Sequence, residues 1–264
     1  MRFLVTCTCM LVAAVAFGQD STPLDDSTAL DEVARRAKTP PKLTLQASAE
    51  DVLVACREML PTRPIELTGA LILRNRKGIV QKECDYRLVM RRSREATRLS
   101  VQLFARHDAT NVLAAVEISR SGNEPAKIQL VSDGKTHEVG SPLERVLETD
   151  VTWLDLTFDF LWWPDAEYEA AREGETVHGQ TCMVILVRPP EKIAGLEAVR
   201  LWADKKTGCL MQAEQLGDGL KPLRRLWGTR VKKFGGRWMV SVLEVETLGS
   251  RHRTKITVES LKEL

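Results

Sequence analysis

The sequence predicts a mainly β fold with a few helices (α+β): a large antiparallel curved sheet, or unclosed β-barrel, of about ten or eleven strands closed by helices. Three observations predict it. From Ile65 onward apolar residues recur with a period of two, flanked by charged neighbours. Turn-forming clusters separate these runs: Asp133-Gly134, Asp204-Lys205-Lys206-Thr207-Gly208, Gly217-Asp218-Gly219 and Gly235-Gly236. Helical spacing is confined to a stretch after Ser48 and to the mid-chain segment 150–165.

Residues 1–18 read as a secretory signal peptide. Met1-Arg2 precedes an apolar run from Phe3 to Phe17, with cleavage expected after Ala14-Val15-Ala16 or Ala16-Phe17-Gly18. The run is shorter than the roughly 20 residues a membrane span needs. Residues 19–46 turn acidic and then Pro/Lys-rich (Thr39-Pro40-Pro41-Lys42), the composition of a tether, and 47–264 read as a single β domain. Its first element is a helix of about 12 residues. Ser48 is the cap, Glu50 and Asp51 lie in the first turn, and Val52, Leu53, Ala55, Cys56, Met59 and Leu60 form the apolar face. Pro61 and Pro64 end it.

Strands follow. Ile65, Leu67, Leu71 and Leu73 share one face, then Cys84, Tyr86, Leu88 and Met90, then Leu99, Val101 and Leu103. Runs at 112–119, 127–131 and 136–139 continue the pattern. The closing third supplies 181–187, 198–203, 209–214, 223–231, 238–246 and 253–258. Each run alternates apolar and charged residues, which predicts one buried and one wet face throughout.

The balance of 38 basic against 36 acidic residues gives no reason to expect nucleic acid as a partner. No second apolar run reaches spanning length, so no transmembrane span is expected in the mature chain. Cys7 and Cys9 leave with the signal and lie inside its apolar region, unlike lipid-attachment cysteines. Cys56, Cys84, Cys182 and Cys209 remain. In an oxidising compartment they permit two disulfides, and proximity in sequence favours Cys56 with Cys84 and Cys182 with Cys209. Four free, buried thiols are the alternative.

One segment breaks the strand pattern. Asp150 to Asp165 holds three of the six tryptophans, Trp153, Trp162 and Trp163, together with Phe158 and Phe160. Alternation of Leu154, Leu156, Phe158 and Phe160 suits a strand. Asp155 before an apolar stretch that Pro164 ends favours a short helix. Such a helix acts either as a lid over an apolar cavity or as ordinary core filling. The cavity reading takes Trp153, Phe158, Phe160, Trp162 and Trp163 as one wall, with Leu71, Leu88, Met90, Val101 and Leu103 from the sheet as the other.

In this arrangement the chain resembles the outer-membrane lipoprotein-sorting family, the Lol-type periplasmic carriers. The resemblance is carried by Asp150-Val-Thr-Trp153-Leu-Asp155-Leu, by Val177-His178-Gly179-Gln180-Thr-Cys182 leading to Arg188-Pro189-Pro190, and by Val199-Arg-Leu-Trp202-Ala-Asp204. Leu223-Arg-Arg-Leu-Trp227, Gly236-Arg-Trp238-Met and His252-Arg-Thr-Lys-Ile256-Thr-Val258 complete it. It implies an unclosed barrel with helices in its mouth, a cavity suited to acyl chains, and a place in the periplasm of a double-membraned bacterium, free or peripheral to the outer membrane. The implied partners are lipid or lipoprotein acyl chains, with a donor or acceptor protein at the inner or outer membrane.

Catalytic constellations are weak. His107, His137, His178 and His252 have no metal-ligand spacing, so no metal is expected. No Gly-x-Ser-x-Gly and no phosphate-binding glycine loop occurs. Ser132-x-x-Lys135 and Lys206-Thr207-Gly208 imitate motifs of penicillin-recognising serine enzymes, but both fall in turns. Two basic groups, Arg74, Arg76, Lys77, Arg91, Arg92, Arg94 and Arg98, and Arg224, Arg225, Arg230, Lys232 and Lys233, read as solvated strand faces or as docking surfaces for a lipid headgroup or acidic partner. The expectation is a carrier or chaperone without cofactor or catalysis. The alternative is a non-enzymatic cell-envelope interaction module on the same fold.

Overall fold

The computed structural model describes residues 47–264, apart from 94–95, 133–134 and 235–236. The expected signal peptide and tether, and the Asp133-Gly134 and Gly235-Gly236 turns, lie outside the described residues. Helix α1 spans Ala49–Glu58. Strands β1 (Ile65–Asn75), β2 (Val80–Arg92), β3 (Ala96–Ala105), β4 (Asp108–Ser121), β5 (Lys127–Ser132) and β6 (Lys135–Glu138) follow, then helix α2 (Trp153–Thr157). The remainder is β7 (Asp165–Tyr168), β8 (Thr176–Val177), β9 (Gln180–Arg188), β10 (Ala198–Asp204), β11 (Leu210–Gly217), β12 (Lys221–Phe234), β13 (Arg237–Thr247) and β14 (His252–Glu263).

Hydrogen-bonded neighbours run β6-β5-β4-β3-β2-β1-β14-β13-β12-β11-β10-β9-β7, with β8 on β9. The order has two ends, so the sheet is open, as the alternation predicts. The described residues form 14 strands against about ten or eleven expected; β7 and β8, at 4 and 2 residues, carry too little alternation to be read.

The described residues divide into two compact units, one holding 47–61 with Trp163–Leu243, the other Thr62–Trp162 with Glu244–Leu264. In the first, α1 begins with a capping box. Ser48 Oγ accepts from the Asp51 amide at 3.1 Å, and Asp51 accepts from the Ser48 amide at 2.8 Å. This helix packs on β7 and β9. Its Cys56 thiol donates to the Gly208 carbonyl at 3.3 Å. Gly208 has φ +71°, and a Cβ there would lie 2.6 Å from Ala55 Cβ, so turn and helix contact both require glycine.

The expectation of one wet face fails in this unit. All seven residues of β10 are buried, including Arg200 and Asp204. Arg200 is neutralised in place: its Nη2 donates to Glu169 at 3.0 Å and its Nη1 lies 3.5 Å from Glu214. Trp202 Nε1 donates to Glu175 at 2.8 Å. Charges in these strands thus mark buried ion pairs as well as solvent.

The expected disulfide pairs are not formed. Cys56, Cys84, Cys182 and Cys209 are all buried free thiols, the alternative the sequence left open. Each is packed as a small apolar residue. Burial pushes Cys84 up to about 11 and Cys182 up to about 12, and raises Cys56 further.

Candidate functional site

The site lies in the second unit and is built on one face of β1–β4. Register fixes which side chains share that face. Leu71 stands opposite Cys84, Leu88 opposite Val101, Met90 opposite Leu99, and Leu103 opposite Tyr86. Val116 stands opposite Val101 and Ile118 opposite Leu99, so β4 extends the same apolar surface. On the other side Ile256 stands opposite Leu71 and Thr254 opposite Leu73. All five sheet residues expected to line a cavity, Leu71, Leu88, Met90, Val101 and Leu103, therefore lie on one buried face.

The segment 150–162 crosses this face, held at both ends by polar clamps. At its start Asp150 is fully buried. Its amide donates to Thr254 Oγ1 at 2.9 Å, and its carboxylate accepts from Thr254 Oγ1 at 3.2 Å and from His252 Nδ1 at 3.0 Å. A second capping box then starts α2: Asp155 accepts from the Thr152 amide and hydroxyl, both at 2.8 Å, and Thr152 Oγ1 accepts from the Asp155 amide at 3.4 Å. The helix lasts five residues because Phe158 is left-handed, at φ 49°. That conformation is uncommon for a side chain of this size. A 3-10 turn over Asp159–Trp162 follows, and the Phe158 and Phe160 rings meet edge to face, with centroids 5.8 Å apart.

Arg120 closes the far end. The two-residue period of Val116 and Ile118 places it on the core face, where it is 6 % exposed. Its guanidinium donates to Thr97 Oγ1 at 3.0 Å and to the Gly122 carbonyl at 2.9 Å. It lies 3.5 Å from Asp159 and stacks on the Trp162 ring, 3.2 Å from the ring centroid. Asp159 also accepts from the Ala126 amide at 3.1 Å. Strand alternation alone assigns an arginine to the wet face. The signal that locates this one is its phase with Val116 and Ile118.

The helical reading of 150–165 holds in the broken form of helix, left-handed residue and 3-10 turn. Trp153, Phe158, Phe160, Trp162 and Trp163 are all buried. Trp153 Nε1 and Tyr86 Oη are among the buried polar atoms of this unit with no hydrogen-bond partner. Neither imitation of a penicillin-recognising motif lies on a helix: Ser132 and Lys135 are paired residues of β5 and β6, and Asp204 accepts from the Thr207 amide at 3.0 Å in the turn between β10 and β11. No helix among the described residues is long and apolar enough to cross a membrane.

A family model described as an uncharacterized protein matches residues 135–263. No curated protein matches the chain in sequence. Solved structures match its fold. An outer membrane lipoprotein-sorting protein domain from Vibrio parahaemolyticus superposes with a TM-score of 0.64 at 13% identity, covering 77% of this chain and 86% of that one. A LolA superfamily protein from Nitrosomonas europaea gives 0.61 at 14% identity, covering 83% and 94%. The chain shares the fold of these two structures. A DUF1329 family protein from Desulfovibrio piger shares it, with a TM-score of 0.66 at 14% identity over 81% of this chain and 91% of that one.

Proposed function

We propose that the protein is an extracytoplasmic carrier or chaperone that shelters the acyl chains of a lipoprotein or lipid. The observation that carries this reading is the segment 150–162. It lays an aromatic surface across an apolar sheet face while its polar anchors sit at its two ends. A chain entering between segment and sheet would meet Phe158, Phe160 and Trp162 on one side and Leu88, Val101 and Leu103 on the other. The unpartnered donors Trp153 Nε1 and Tyr86 Oη are groups an ester or amide carbonyl of such a cargo would satisfy.

The mechanism is burial rather than bond chemistry. At roughly 25 cal/mol per Å² of apolar area, a few hundred Å² of acyl surface is worth on the order of several kcal/mol. That holds a cargo and still permits transfer to a stronger acceptor. Titration with a fluorescent fatty acid tests the reading: saturable binding at one site is expected, and no binding contradicts it. The reading as an envelope interaction module draws on the low exposure of all ten expected cavity residues, none above 9 %, which a fully packed interior would also produce. It predicts no fatty-acid binding and a protein partner recovered by crosslinking.

A further inference from the structure

The ladder between β1 and β14 carries a second, chemically different feature on the face opposite the aromatic segment. Register sets Arg74 directly across from Arg253, and the Arg76 amide donates to the Arg251 carbonyl at 2.8 Å, so two pairs of cations face each other. Lys255, two residues along from Arg253, shares that face. Like charges directly opposite one another destabilise a strand pair. A pocket of about 450 Å³ opens here, lined by these five cations, by Glu244 and Glu246 of β13, and by polar groups that include Ser250 and His252.

Both carboxylates are already engaged. Glu244 takes Arg253 at 2.6 Å and Lys255 at 3.3 Å, and Glu246 lies 3.6 Å from Arg253. Arg74, Arg76 and Arg251 form no ion pair among the described residues. The Nε of Arg74 is buried with no hydrogen-bond partner. A buried guanidinium donor without an acceptor is costly unless an acceptor arrives from outside.

We propose that this pocket is a binding site for a phosphate group, either free or as the headgroup of a lipid. A single carboxylate is satisfied by one guanidinium fork. A phosphate offers several anionic oxygens and suits a pocket lined by the guanidinium side chains of Arg74, Arg76 and Arg251. The pocket volume accommodates a phosphate with a small alcohol, within the range of small-molecule sites. The pocket borders the Asp150 clamp at His252, but its cations belong to the other face of β1 and β14, and the site stands whether or not the acyl-binding surface takes up lipid.

The test is calorimetric titration of the protein with inorganic phosphate and with glycerol 3-phosphate, probes that carry no acyl chain. It is paired with flotation on phosphatidylcholine vesicles with and without phosphatidic acid. One bound phosphate probe per chain is expected, weakened about ten-fold or more in Arg74→Gln and in the exposed-site variant Arg251→Gln, as loss of a charge-assisted hydrogen bond requires. Co-flotation with phosphatidic acid that both variants lose assigns the site to a lipid headgroup. Probe binding without co-flotation assigns it to a soluble phosphate. Either result sustains the site. Absence of binding in both arms, or binding that stays within two-fold in both variants, overturns it, as does binding of an acidic peptide alone.

Discussion

The guanidinium of Arg120 stacks on the Trp162 ring, its central carbon 3.2 Å from the ring centroid, while its Nε lies 3.5 Å from Asp159. One side chain therefore fixes both the aromatic end and the acidic end of the 3-10 turn to β4. Removing it takes from Asp159, which is 8 % exposed, the cation 3.5 Å away. Arg120→Ala is expected to lower stability by about 3 kcal/mol in urea unfolding, as for other broken buried pairs. Arg120→Lys should recover little, because a lysine cannot stack on Trp162 and donate to Thr97 and Gly122 together.

Asp150 anchors the other end of the segment through His252 and Thr254. Because all three share one network, their substitutions should not add. A double-mutant cycle of Asp150→Asn with His252→Ala is expected to give a coupling of about 1 kcal/mol. Additive effects would show that the Asp150–His252 contact contributes nothing to the clamp.

Gly69 lies at the register shift between β1 and β14, where a Cβ would be 1.7 Å from the Thr257 carbonyl oxygen. The obstacle is backbone, which cannot rotate away. Gly69→Ala should therefore cost about 1–3 kcal/mol, the usual penalty of overpacking, read as a lowered melting temperature. Gly140→Ala, where a Cβ meets nothing within 4 Å, is the control and should leave the melting temperature nearly unchanged.

The thiols give a pH-dependent prediction. An unfolded cysteine ionises near pH 9, whereas burial holds Cys84 protonated to about 11 and Cys182 to about 12. The folded chain thus binds more protons than the unfolded chain above pH 9, and stability falls as pH rises from there. At pH 8 the native protein should leave Cys56, Cys84, Cys182 and Cys209 unlabelled by a thiol-disulfide reagent, and denaturant should expose all four. Labelling of any of them in the native state contradicts this.

Much of the sheet was legible in the sequence because the period of two holds along β2 and β3: Leu88, Met90, Val101 and Leu103 all fall on the face their alternation assigns. The cap at Ser48 was legible because cap chemistry is local, whereas the reciprocal contact of Asp51 that completes the box emerged only in the structure. Two kinds of feature were not. Arg200 and Arg120 carry charge into buried positions, and the acidic partners that permit it, Glu169 and Asp159, lie 31 and 39 residues away in sequence. The cysteines misled through compartment: an expected oxidising environment suggested staples, whereas packing uses each thiol as a small apolar side chain. The phosphate pocket was half visible. Arg74 and Arg76 were read as a basic group, but their facing of Arg251 and Arg253 depends on a strand pairing across nearly the whole domain.

The central claim is that the face beneath the segment 150–162 takes up acyl chains. Native mass spectrometry of the protein purified from its own host tests it most directly. A co-purifying lipid or lipoprotein acyl species at one per chain is expected, depleted when Arg120→Ala loosens the segment. A chain that carries no lipid from its host, and that binds no fluorescent fatty acid when offered one, would contradict it.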